Sequence, residues 1–237
     1  RSSTAVSVRV DPGNSAGRPL TPVFIVRASL AAEGYSPSRP VTRSFIFPDR
    51  VLSQGHPGGD WPTSSVNGQL IDLEMDPDVV NDPRYSPYIK ASLRDIPSIS
   101  LVTDNADMFS PSQGIYVNAY LHGEEWERQC SLELIDTDNS VEFSINAGVR
   151  IRGGASRKPD NPKHAFRFFF RKEYGPGKLL YPLFGDEGAT EFDKVDLRTE
   201  QNYSWSMDGD SHNTFLRDIF SRDTQREMGQ PYTRGRY

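Results

Sequence analysis

The stretch from Gly148 to Phe170 constrains the fold of this chain more than any other. Val149 and Ile151 alternate with Arg150 and Arg152, so a strand entering Gly153-Gly154 carries one apolar face and one cationic face. After a Pro-rich turn, Ala165, Phe166, Phe168 and Phe170 form an aromatic second strand, with Lys163 near its start and Arg167 and Arg171 along it. This predicts an antiparallel pair joined by a glycine-bearing turn. Gly153 and Gly154 remove the side chains that would keep a ligand from the backbone amides, and Lys163 can point back over the turn. Such a turn can hold a phosphate. The competing reading is a hairpin whose Arg and Lys residues solvate its outer face.

Period-two segments recur on both sides. Ser98–Val102, Gly114–Asn118, Gln129–Ile135, Val141–Ile145 and Val149–Arg152 read as successive strands, completed by Ala165–Phe170. The front of the chain, residues 1–48, looks all-β, with strands at Ala5–Val10, Val23–Leu30 and Thr42–Phe47. Residues 53–69 are rich in Gly, Pro, Ser and Asn and read as a linker or long ordered loop. Between Asp76 and Leu93 only short helical turns are expected, because Pro83 and Pro87 interrupt any long helix and Asp82 and Ser86 precede them as caps. The main helix is expected at Thr214–Met228, capped by Ser211 or Asn213, stopped by Gly229 and Pro231, and packed on the sheet through Phe215, Leu216, Ile219 and Phe220. The expected class is α+β, mainly antiparallel sheet with few helices. The expected division is a front β segment 1–48, a connector 49–95 and a main region 96–237.

Composition excludes several classes. With 27 basic against 32 acidic side chains the net charge is -5, and without a basic run bulk nucleic-acid affinity is not expected. No run approaches a membrane span, and the Arg-Ser-Ser-Thr opening lacks the apolar core of a signal peptide. Cys130 is the only cysteine and reads as a buried structural thiol. His56, His122, His164 and His212 are too scattered for a zinc-protease spacing or a hydrolase triad. The acidic turns Asp104–Asp107, Asp136–Asn139 and Asp208–Asp210 place oxygen ligands close together, as calcium loops do, but none has the twelve-residue EF-hand pattern. Asp and Asn favour turns for backbone reasons alone. Trp61, Trp126 and Trp205 can line a sugar-binding face or serve as buried anchors.

The run 148–170, the segment Phe192–Glu200 and the segment Asn213–Gly229 together resemble the spore coat protein CotH kinase family of atypical, secreted or surface-associated protein kinases. Leu73–Val80, Ile96–Val102 and Gly123–Arg128 resemble the lead-in of large bacterial members, so the resemblance spans roughly residues 70 to 237. Upstream, Val26–Ser38 with Thr42–Phe47 resembles the last strands of the sandwich modules related to the chitobiase C-terminal domain, here a partial one.

The kinase resemblance implies an amino-terminal-lobe fold with ATP and Mg as cofactors, and a nucleotide and a protein substrate as partners. Gly153, Gly154 and Ser156 would form the phosphate turn, Lys163 would be the phosphate-pairing lysine, and Arg152 or Arg167 would add contacts. Asp218, Glu227 or Glu200 would orient the lysine. The resemblance also implies secretion or a cell-surface location. It puts the catalytic acid residues and magnesium ligands in a downstream segment beyond Tyr237, so these 237 residues alone are expected to be catalytically silent. The alternative function is a non-catalytic surface module that binds carbohydrate or protein.

Overall fold

The computed structural model describes residues 21–199 and 216–237. The chain divides into two compact units, Arg1–Gly59 with Leu73–Ile96, and Asp60–Asp72 with Pro97–Tyr237. The strands expected at Ala5–Val10 and the acidic turn at Asp208–Asp210 lie outside the described residues.

In the first unit, β1 (Val23–Ala28) and β2 (Val41–Ile46) form an antiparallel hairpin in which Val23 faces Ile46 and Ala28 faces Val41. The four-residue α1 (Pro48–Val51) follows, then α2 (Pro77–Val80) and the ten-residue α3 (Ser86–Asp95). Asp76 caps α2 by accepting from the Asp78 amide at 2.8 Å. The cap expected from Asp82 forms over the short turn that begins at Pro83, its Oδ1 accepting the Arg84 amide at 2.8 Å, and its carboxylate also takes the Arg84 guanidinium. The cap expected from Ser86 does not form, because Ser86 is already inside α3, with Pro87 in the first turn where a missing N–H costs nothing.

The second unit is built on a five-stranded sheet, β3 (Ser98–Val102), β4 (Arg128–Ile135), β5 (Val141–Arg152), β6 (Ala165–Phe169) and β9 (Lys194–Leu197). Every neighbouring pair, in the order β3-β4-β5-β6-β9, is antiparallel. A two-stranded ribbon, β7 (Leu179–Leu180) with β8 (Glu191–Phe192), precedes the last strand. The fold is α+β, mainly antiparallel, with few helices.

Alternation decides which side of the sheet is dry. Ile145, Ala147, Val149 and Ile151 of β5 point to one face and pack with Leu132 and Phe168. The expected strands Val141–Ile145 and Val149–Arg152 are one continuous strand. The polar residue between them, Asn146, simply points to the opposite face, where its Oδ1 accepts from Ser131 Oγ at 2.8 Å. Strand β4 is buried on both faces, with Cys130, Leu132 and Leu134 on one and Ser131 and Glu133 on the other. Burial pushes the Cys130 thiol up to about 12, which keeps it protonated and inert.

Two expectations are corrected. Gly114–Asn118 is not a strand but a run of tight turns beside α4 (Asn105–Phe109), tied by Ile115 N to Asp107 O at 2.8 Å and Tyr116 N to Met108 O at 3.0 Å. A β-carbon on Gly114 would lie 2.6 Å from Met108 O, so the chain can pass this close only as glycine. Ile115, Val117 and Ala119 are buried all the same, which is why their alternation imitates a strand.

The second correction is the last helix, α5 (Arg217–Glu227), which buries no residue. Leu216 and Phe220 are exposed. The helix is held by Asp218 on Arg198 and Arg222 and by Arg226 on Glu187. Its expected apolar packing on the sheet is therefore absent among the described residues, and the cap residues Ser211 and Asn213 and the stripe residue Phe215 lie outside them. No helix among the described residues is long and apolar enough to cross a membrane.

Candidate functional site

The connection from β5 to β6, residues 153–164, is an ordered loop tied down from three sides. Gly153 has φ +115, and a β-carbon there would meet Ser156 Oγ at 1.9 Å, whereas Gly154 has open space around it. Only the first glycine is sterically required. A single 3₁₀ turn, Ala155–Arg157, follows.

Arg157 organises the loop from behind. Its Nε donates to Gly153 O at 2.7 Å, its Nη2 to Ile151 O at 2.6 Å, and its Nη1 to Ala119 O and to Leu121 O at 3.2 Å. Backbone carbonyls rather than a carboxylate satisfy the guanidinium, and burial pushes its pKa down. His164 fastens the far end. Its Nδ1 donates to Ser156 O at 2.7 Å, and its Nε2 meets Gln69 Oε1 at 2.7 Å. Gln69, itself buried, donates from Nε2 to Asn161 O at 2.8 Å and Leu70 O at 3.0 Å, and Leu70 N donates to Pro159 O at 3.1 Å. Tyr116 packs at a tilt against His164, with ring centroids 4.7 Å apart, and donates its hydroxyl to Pro162 O. Part of the Gly- and Pro-rich stretch 53–69 is thus an ordered element of this loop's support.

With carbonyls turned inward, the amides of Gly154, Ala155 and Ser156 make no hydrogen bond among the described residues. Lys158 and Lys163 are exposed. Lys163 lies two residues before β6 rather than within it, and it forms no ion pair among the described residues. The carboxylates considered as its orienting partners are engaged elsewhere. Asp218 holds Arg198 and Arg222, Glu227 holds Arg226, and Glu200 lies outside the described residues.

Arg152 and Arg167 project from the opposite, non-core face and meet on one carboxylate. Register puts Arg167 directly across from Asp196. Arg167 Nε reaches Asp196 Oδ1 at 2.6 Å and its Nη2 reaches Oδ2 at 3.0 Å, while Arg152 Nε approaches Oδ2 as well. Burial pushes the Asp196 carboxyl up, but the Arg167 hydrogen bonds and the two guanidinium charges outweigh it and hold it below the usual carboxylate range. Across the sheet the same row continues to Arg150 and Glu127. Glu127, whose side chain is 1% exposed, accepts at Oε2 from Arg150 Nε at 2.7 Å and Arg171 Nη2 at 3.3 Å, and both arginines lie over the Phe169 ring. Gly148 leaves room for this cluster, since a β-carbon there would lie 2.4 Å from Glu127 Oε1.

The loop therefore brings together Gly153, Gly154 and Ser156, with Arg152 at its mouth, and the sheet adds Arg167. Sequence reasoning missed Asp196, Glu127, Arg157, Gln69 and His164 as their supports. One signal was available: in Lys194-Val-Asp-Leu197, Val195 and Leu197 alternate with Lys194 and Asp196, the same two-faced pattern that identified β5.

The other constellations have local explanations. Asp104 caps α4 by accepting from the Ala106 amide at 2.9 Å. Asp136 and Asp138 accept the Thr137 and Ser140 amides, each at 2.7 Å, within a hairpin turn. Among the described residues no group of three or more His, Cys, Asp or Glu side chains is placed to hold a metal ion. Magnesium has no fitting donor set there. Trp61 packs at a tilt against Phe109 at 5.5 Å, Trp126 packs against the core, and Trp205 lies outside the described residues.

No protein-family model, curated protein or solved structure matches this chain.

Proposed function

We propose that residues 96–237 are the amino-terminal part of a CotH-like atypical protein kinase, and that the 153–164 loop holds nucleotide phosphates in an exported or surface-located parent protein that phosphorylates Ser or Thr. The observation that carries this reading is the set of three successive amides, Gly154, Ala155 and Ser156, left without acceptors by a loop whose carbonyls are drawn inward by Arg157. Successive unpaired amides at a glycine turn form an anion-binding concavity, and Lys163 and Lys158 supply exposed cations around it. Arg152 and Arg167 add donors on the adjoining face. ATP supplies the transferred phosphoryl group when bound; these residues hold and orient its phosphates.

Phosphoryl transfer needs metal-bearing carboxylates, and the described residues offer no such group. The reading therefore assigns phosphate binding to these residues and turnover to residues outside the described ones. A carbohydrate-binding alternative gains no support from the two described tryptophans, because Trp61 and Trp126 are each engaged with separate neighbours.

Calorimetric titration of ATP into the 237-residue chain tests the proposal. Binding that is lost when ATP is replaced by adenosine and weakened by Lys163→Ala is expected. Unchanged affinity in Lys163→Ala removes that lysine from the site, and binding indifferent to the phosphates overturns the reading. Magnesium-dependent transfer of labelled phosphate by the isolated chain would contradict its expected catalytic silence.

A further inference from the structure

Arg152 is the last residue of β5 and stands at the mouth of the glycine loop, opposite Ala165 of β6. The small Ala165 side chain leaves Arg152 a path across β6 to β9, where Arg167's own cross-strand partner, Asp196, waits. Arg167 donates its Nε and Nη2 to that carboxylate, and Arg152 Nε lies against its Oδ2 as an ion pair without making a hydrogen bond. Both Nη groups of Arg152 and Nη1 of Arg167 are left without a protein acceptor among the described residues. Two guanidiniums on one carboxylate leave a surplus positive charge. Their side chains are 37% and 39% exposed, accessible to a ligand yet fixed in orientation. A lone Arg–Asp pair would be neutral and would offer an anion little.

We infer that Asp196 is a positioning residue, which holds Arg152 and Arg167 side by side as a double fork for a multiply charged phosphate at the glycine loop. The inference rests on the phosphate-binding reading above and adds to it a residue that never touches the ligand. Preorganised guanidiniums bind phosphate oxygens in parallel pairs, whereas free ones must first lose side-chain freedom.

The sign of the effect separates positioning from bare electrostatics. A carboxylate near an anion repels it, so removing its charge should tighten binding if Asp196 does nothing else. Positioning demands the reverse. Tripolyphosphate is titrated at low salt into the whole chain, as wild type, Asp196→Asn and Asp196→Glu. The exposed loop residue Asp160 supplies an Asp160→Asn control for the purely electrostatic effect. Asp196→Asn is expected to weaken binding by about tenfold, Asp196→Glu to recover part of it, and Asp160→Asn to leave it equal or slightly tighter.

A ligand-free measurement distinguishes the two ideas. The Nε–Hε signal of Arg167, which is hydrogen-bonded to Asp196, should exchange slowly in the wild type and be lost in Asp196→Asn. Equal or tighter tripolyphosphate binding by Asp196→Asn overturns the positioning role. Slow Arg167 Hε exchange in a wild type that binds no tripolyphosphate shows that the Arg167–Asp196 contact exists but the phosphate reading fails, and the inference falls with it.

Discussion

At the scale of single residues, the site depends on groups whose partners are distant in sequence. Glu127 neutralises Arg150 and Arg171 from a nearly closed position. Glu127→Ala leaves Arg150 and Arg171 without their shared carboxylate, though both stay partly exposed and Arg171 keeps Glu124 and Glu173, so it is expected to cost about 1–3 kcal/mol in urea unfolding. Gly153 is a sharper case, because a side chain there meets both the positive φ and Ser156 Oγ. Gly153→Ala should cost about 1–3 kcal/mol, and Gly154→Ala, with open space around it, well under that. Equal losses at the two glycines would contradict the loop geometry. The sequence marks both as a turn pair; it does not say which is sterically required, since that depends on where Ser156 returns.

At the scale of elements, strands and helices differ in what holds them. Strands β4, β5 and β6 share a dry face, and truncating its centre with Phe168→Ala is expected to cost about 3–5 kcal/mol. Helix α5 buries nothing and is tied by Asp218, Arg222, Arg226 and Glu187. Phe220→Ala should therefore change stability by less than about 0.5 kcal/mol, while 1 M salt, where the Debye length falls to about 3 Å, should raise the amide exchange of this helix. Salt-independent exchange would mean that apolar packing holds it after all. The apolar stripe Leu216, Ile219, Phe220 predicts a helix and a burial partner. The helix forms, but the stripe stays largely open, because periodicity specifies a face and not what covers it.

At the scale of the whole molecule, pH dependence reads the buried polar support. Burial, with the Arg157 charge beside it, pushes the His164 pKa down against the hydrogen bond to Ser156. A histidine whose folded pKa lies below its unfolded value of about 6.5 takes up protons more readily when unfolded. Stability is then fully present above that value and declines as pH falls below it, levelling off once the folded form is also protonated. Asp196 behaves oppositely in origin but similarly in direction, since its depressed carboxyl contributes stability that is lost as acid protonates it. The midpoint of denaturant unfolding should therefore fall between pH 7 and 5 in the wild type and fall less in His164→Gln. Matching slopes in the two proteins would remove His164 as the cause.

What the sequence determined by itself was local: the period-two faces of β4, β5 and β6, the turn at Gly153-Gly154 and the single inert thiol. The faces and the turn follow from the pleat and from steric freedom at glycine. The tertiary structure decided which residues meet. Arg152 and Arg167 share Asp196, Arg157 gathers the carbonyls of Ile151, Gly153, Ala119 and Leu121, and His164 reaches Gln69, 95 residues away. Alternation places a side chain on a face, but only strand order and register choose its neighbour across the sheet, and those are set by the packing of the whole core.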